Sequence, residues 1–111
     1  MVNIKVSRLG GLREAKQVHD MCKAHNIPVC CGGMHEFGIG RAANVAISTL
    51  EGFSIPGDVS GSDKYYERDV LKVPIKAVQG VIASLSAPGL GVEVDEEWLE
   101  KRTLHKETIR L

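Results

Sequence analysis

The sequence predicts an α/β fold of consecutive strand–loop–helix units whose functional loops gather on one face, and three observations predict it. Short apolar runs at Val2–Val6, Ile27–Cys31 and Phe53–Ile55 recur through the first half of the chain and read as strands. Each of these runs leads into a polar, glycine-containing loop. Two segments with helical spacing of apolar residues, Leu12–His25 and Ile39–Leu50, alternate with them. α/β proteins place binding and chemistry in the loops at the carboxyl ends of parallel strands.

In the first strand Val2, Ile4 and Val6 alternate with Asn3 and Lys5, which is period two. Two placements of Lys5 follow. In a closed sheet the ammonium points into a barrel near its mouth, where it is costly unless paired or functional. In an edge strand it faces water. Ser7 to Gly11 reads as a turn, and the helix after it presents Leu12, Ala15, Val18 and Cys22 on one face. His19 and His25 read as solvated helix residues. Pro28 stands near the start of the second strand, where a missing N–H does least harm.

The stretch from Cys31 to Ala42 is the one the chain is organised around. Four glycines, Gly32, Gly33, Gly38 and Gly40, fall within nine residues and let other groups approach the backbone closely. The helix that follows is rich in small residues (Ala42, Ala43, Ala46, Ser48), which suits close packing on a sheet. Past the third strand, Asp58 stands between Gly57 and Gly61. A carboxylate there is a candidate site residue, or a turn former bonded to its own backbone. Further on, Val78–Leu85 is an apolar stretch, Ala87–Gly91 a turn, and Val92–Val94 alternates. Asp95 is placed to cap a short helix with Glu96 and Glu97 in its first turn and Lys101 and Arg102 in its last, as the helix dipole favours. Trp98 and Leu99 would dock this tail on a neighbouring body.

Composition narrows the classes of function. A chain of 111 residues suggests one domain. Fourteen basic and fourteen acidic residues cancel without forming a stripe, which argues against nucleic acid or an anionic membrane as the main partner. No apolar run approaches the roughly 18 residues of a membrane span, so the cytoplasm is the default location. Cys22, Cys30 and Cys31 are odd in number and lack CxxC spacing, and are expected to be buried small hydrophobes. Gly38-Ile39-Gly40-Arg41-Ala42-Ala43 fits G-x-G-x-x-[GA], but six residues separate Cys31 from Gly38, where a dinucleotide site needs the first glycine directly after the strand. A simpler use of Gly38–Gly40 is a helix start that attracts an anion. This gives an alternative reading, a small α/β module binding an anion or nucleotide. His35 and Glu36 are adjacent and would point opposite ways on a strand, so no metal site is expected within the chain.

Three stretches in order, Asn3 to Gly11, Gly32 to Ala42 and Ile55 to Ser60, together with Gly89 to Asp95, resemble the C-terminal third of the o-succinylbenzoate synthase and N-acylamino acid racemase group. That group lies in the muconate-lactonizing branch of the enolase superfamily. The resemblance implies that residues 1–70 are about three β/α units of a modified TIM barrel, supplying its sixth to eighth strands. Residues 71–111 would be an extension packing toward a capping domain. It implies Lys5 as the catalytic acid/base at the substrate α-carbon, or as a cation stabilising the enolate. Gly32, Gly33, Met34, Glu36 and Asp58 would line the substrate. A divalent metal, Mg2+ by resemblance, would be held by carboxylates on strands this chain does not carry. His35 and Phe37 depart from the aliphatic and Ser/Thr residues usual in the group, and Ala43 from a His, which touches substrate identity. The implied partners are a small carboxylate substrate, the remaining barrel with its cap, and further copies of the parent enzyme, which acts in menaquinone synthesis or N-acylamino acid racemisation. A barrel of this type needs about 250 residues, so the expectation is an inactive fragment. A half-barrel completed by dimerisation is a further alternative.

Overall fold

A computed structural model describes residues 1–110. Strand β1 (Val2–Ile4) pairs in parallel with β2 (Val29–Cys31), with Val2 opposite Val29, Asn3 opposite Cys30 and Ile4 opposite Cys31. The crossover between them is a short helix α1 (Val6–Leu9) followed by α2 (Leu12–Ala24). The first strand therefore ends earlier than its alternation suggests. Val6 turns inward as the first residue of a helix, and Lys5 becomes the extended residue at the junction. Gly10 closes α1 at φ 90°, a left-handed conformation that glycine adopts without strain.

Helix α3 (Gly38–Ser48) follows β2, and after it the expected third strand is not formed. Residues 53–55 are irregular, and in their place one parallel bridge joins Gly32 to Asp58, with the Asp58 amide donating to the Cys31 carbonyl at 2.8 Å. The ladder stops there because Pro56 has no N–H to contribute and Gly57 lies against the Cys31 carbonyl. The order of neighbours across the molecule is nonetheless β1, β2, Asp58, so three successive segments present their carboxyl ends side by side.

Two cores share α3. The first joins Ile4, Val6, Ala15, Cys22, Val29, Cys31 and Ile47. The second joins Ala42 and Val45 to Val70, Leu71 and Ile75, with Ile82, Leu85, Val92, Val94 and Trp98 packed against it. The small residues of α3 serve both contacts: Ala42 is fully buried under the tail while Ile47 reaches the sheet side. All three cysteines are free and buried. The radius of gyration, 15.3 Å, exceeds the roughly 13 Å of a closed globule of this length. The shape is that of an open slab.

His19 departs from expectation. It is 4% exposed, its ring stacks on Phe53, and its Nε2 lies 2.6 Å from the Glu51 carbonyl. The imidazole is held because the chain leaving α3 returns across α2, a contact that helical spacing alone does not reveal. Between Val78 and Val81 the apolar stretch forms a tight turn through Gln79 and Gly80, both at positive φ, which leaves the two valines exposed. The tail closes through the antiparallel bridge Leu71–Val94 and the Lys72–Glu93 ion pair.

Helix α4 (Glu96–Arg102) is capped as its sequence indicates. Asp95 Oδ1 accepts from the Trp98 amide at 3.0 Å and Oδ2 from Arg68 at 2.7 Å. The bond from the Trp98 amide, then the Arg68 guanidinium, hold the Asp95 carboxyl below the usual aspartate range. A depressed carboxyl contributes stability above its unfolded value and loses it as pH falls through its folded value. Trp98 is the sole tryptophan and packs on the second core, so its emission reports the docking of α4. An acid titration should shift that emission to the red below the ordinary aspartate range, and Asp95→Asn should remove this part of the transition. An unchanged titration in the variant would show that the cap is not what holds α4.

Candidate functional site

Lys5 stands at the carboxyl end of β1, half-buried, with its ammonium donating to the Gly33 carbonyl at 2.7 Å. β1 is an edge strand of a two-stranded sheet, yet its lysine is half-buried and directed onto the glycine loop after β2. The loop admits it because residue 32 has no side chain: a Cβ there would overlap the Asn3 carboxamide and come within 2.8 Å of Lys5 Cε. At Gly33 a Cβ would overlap the backbone carbonyl of Asp58. The two glycines therefore let Lys5 and the Asp58 segment close on the end of β2 from opposite sides.

The expected substrate-lining residues are brought to this one end, in different circumstances. Gly32 is buried, Gly33 half-buried, and Met34 and Asp58 exposed. Glu36 is turned inward on its own loop, its carboxylate accepting from the Met34 amide at 2.9 Å and from the Asn44 carboxamide at 3.2 Å. Its stem crosses Gly40, where a Cβ would lie 2.9 Å from Glu36 Cβ. Glu36 thus organises the loop that carries Met34.

Several residues that shape this end were not legible as site residues. Arg41, fully buried, donates to the Ser60 carbonyl at 2.5 Å and to the Met34 carbonyl at 3.4 Å. Tyr66 donates to the His35 carbonyl at 2.5 Å and stacks on Phe37, while Tyr65 packs on His35. Asp69, 2% exposed, accepts from the amides of Gly38 and Leu71 at 3.0 and 3.1 Å. The sequence signal for Asp69 is weak, a lone acid ahead of an apolar pair, 31 residues from the amide it caps. Cys31 sits beneath the loop, and burial pushes its thiol up.

Asp69 removes the ground for the anion- or nucleotide-binding alternative. The first amide of α3, at Gly38, is already taken by this carboxylate, and Leu71 packs so closely that no side chain would fit at Gly38. An anion approaching the start of α3 would find the Gly38 amide occupied. The implied metal finds no donor set either. Among the described residues no three His, Cys, Asp or Glu side chains converge where they could hold an ion. No described helix is long and apolar enough to cross a membrane.

Parallel β/α units with an amine and glycine loops gathered at the strand ends fit a sector of an α/β protein of barrel or open-sheet type. The chain belongs to the family described as Enolase C-terminal domain-like, which matches residues 1–98. It is 48% identical over 103 residues to an o-succinylbenzoate synthase from Geobacillus kaustophilus, covering 93% of this chain and 28% of that protein. It is 49% identical over 106 residues to an N-succinylamino acid racemase from an Amycolatopsis species, covering 96% of this chain and 28% of that protein. Among solved structures, an enolase-superfamily protein from Listeria innocua superposes with a TM-score of 0.83 at 35% identity, over 89% of this chain and 27% of that one. A probable mandelate racemase from Alicyclobacillus acidocaldarius gives 0.85 at 32% identity, over 93% of this chain and 28% of that one. The fold is thus the C-terminal part of a modified TIM barrel, and the chain spans less than a third of the length of the curated relatives it matches.

The glycine pair yields an ordered expectation. Gly33→Ala drives a methyl into backbone and should cost about 1–3 kcal/mol, the range for overpacking, whereas Gly32→Ala meets only side-chain ends and should cost less. Urea midpoints of the two variants check the order, and equal losses would show that the Asp58 segment is free to move away.

Proposed function

We propose that the chain supplies the sixth, seventh and eighth strand positions of an o-succinylbenzoate synthase or N-acylamino acid racemase barrel, with Lys5 as its catalytic group. The observation that carries the reading is the seat of the Lys5 ammonium, on the Gly33 carbonyl at the strand ends. An amine in that position, once unprotonated, takes a proton from one face of the α-carbon of a carboxylate substrate, and in a racemisation a second base, carried by the rest of the barrel, delivers a proton to the opposite face. In a dehydration the same ammonium would instead stabilise the enolate. Gly32 and Gly33 let the amine and the Asp58 segment close on the end of β2, Met34 and Asp58 line the substrate, and Glu36 holds the lining in place.

The divalent metal of such an enzyme, Mg2+ on this reading, takes its ligands from the rest of the barrel, since the described residues offer no such set. Residues 71–111 pack toward the capping domain on the face not already against α3. The parent enzyme is a cytoplasmic homo-oligomer acting on a small carboxylate, in menaquinone synthesis or in N-acylamino acid racemisation. The high identities to both a synthase and a racemase support the shared chemistry of α-proton abstraction.

In the intact enzyme, Lys5→Ala should lower deuterium exchange at the substrate α-carbon by about 10²-fold or more, the range for a general acid/base. Substrate affinity should change far less. Exchange at the native rate would end the reading. The 111-residue chain alone should show no dehydratase or racemase turnover with Mg2+ present, because one sector of a barrel cannot assemble the site. Measurable turnover by the pure chain would overturn that part.

A further inference from the structure

Arg41 is unlike the other cations of the chain. It is completely buried at the first turn of α3, and none of the ion pairs among the described residues includes it. Burying a guanidinium without a carboxylate is costly unless its donors are met in some other way. The terminal nitrogens are met by loop oxygens: Nη1 donates to the Ser60 carbonyl at 2.5 Å and lies 3.3 Å from Ser60 Oγ, and Nη2 donates to the Met34 carbonyl at 3.4 Å. Nε has no partner, and the guanidinium carbon lies 5.3 Å from the Tyr65 ring centroid. Its two terminal nitrogens therefore add a side-chain tie between two loops whose bases already meet at the Gly32–Asp58 bridge, the one carrying Met34 and Glu36 and the one carrying Asp58. From outside, Tyr66 completes the tie through its hydrogen bond to the His35 carbonyl and its stacking on Phe37.

We infer that Arg41 and Tyr66 are positioning residues: they fix the Met34–Phe37 loop against the Asp58–Ser60 loop and thereby set which acyl group the substrate pocket holds. The inference rests on the proposed function of this strand end. A planar fork is needed, because two acceptors on different loops are spanned by one rigid group. A lysine ammonium has three donors, but they radiate from one nitrogen on a flexible stem and lack the fixed spacing of the guanidinium fork. The arrangement acts on binding and not on proton transfer, since neither residue touches Lys5.

The test uses the intact enzyme with N-acylamino acids of two acyl sizes and α-proton exchange as the readout. Arg41→Lys should raise KM by about tenfold or more and alter the preference between the two acyl groups, because small displacements of a positioning group are expensive. The exchange rate at saturation should fall by less than about threefold. Tyr66→Phe, at the surface and safe for folding, should move KM and acyl preference in the same direction by a smaller factor. If Arg41→Lys folds poorly, Tyr66→Phe alone decides. A lowered unfolding midpoint with KM and acyl preference unchanged in the folded variants would reduce both residues to structural roles and overturn the inference. Lys5→Ala measured alongside keeps the readings apart. Native exchange in Lys5→Ala brings down the proposed function and this inference with it. Lost exchange in Lys5→Ala with unchanged KM in the Arg41 and Tyr66 variants brings down this inference alone.

Discussion

The close approach of three backbone segments at Gly32 and Gly33 is the constraint on which the rest of the structure depends. The end of β2 is flanked by the Lys5 side chain on one side and the Asp58 carbonyl on the other: a Cβ at residue 32 would press on the ends of the Asn3 and Lys5 side chains, and a Cβ at residue 33 would overlap the Asp58 carbonyl. The second contact cannot be relieved by moving a side chain, because the atom in the way is main chain. It brings the ends of the β/α units into register before any side chain is considered. That is what gives Lys5 a fixed acceptor in the Gly33 carbonyl, and what makes a short two-stranded sheet a usable platform.

Helix α3 translates this constraint to the tail. One side of it belongs to the sheet core and the other to the core built by Val70, Leu71 and Ile75, so the helix cannot shift without disturbing both. Its N-terminus, which in many α/β proteins is kept open for a phosphate or carboxylate, is closed by Asp69 from within. The positive end of the dipole is thereby used for structure, and the chemistry at the strand ends falls to a charged side chain on β1 and to loop geometry. Arg41, one turn further on, is likewise turned to structural use: a buried guanidinium whose terminal nitrogens donate to oxygens of two loops.

Much of this was readable from the order of residues, because it depends on local periodicity. The apolar face of α2, the small residues of α3 and the Asp95 cap each repeat or close within a few positions, and each took the form expected, while the alternation over Val2–Val6 gave a strand only as far as Ile4. The glycine cluster marked the place of close approach, since nothing else explains so many residues without side chains in one loop. The third strand was misread because Phe53–Ile55 has strand composition, while Pro56 and Gly57 just beyond it leave only a single bridge at Asp58. His19 was misread because its partners, Phe53 and the Glu51 carbonyl, lie more than thirty positions away.

The sequence by itself determined the α/β class, the positions of α2, α3 and α4, and the glycine loop as the organising stretch, while Ser7–Gly11, read as a turn, begins in helix α1. Those properties follow from local backbone preference and from the spacing of apolar residues. Only the tertiary structure decided that Lys5 turns onto the loop and away from water, that Asp69 closes α3, and that Arg41 joins two loops. Each of these pairs groups distant in the chain, and the energy that holds them comes from burial, which no local pattern records.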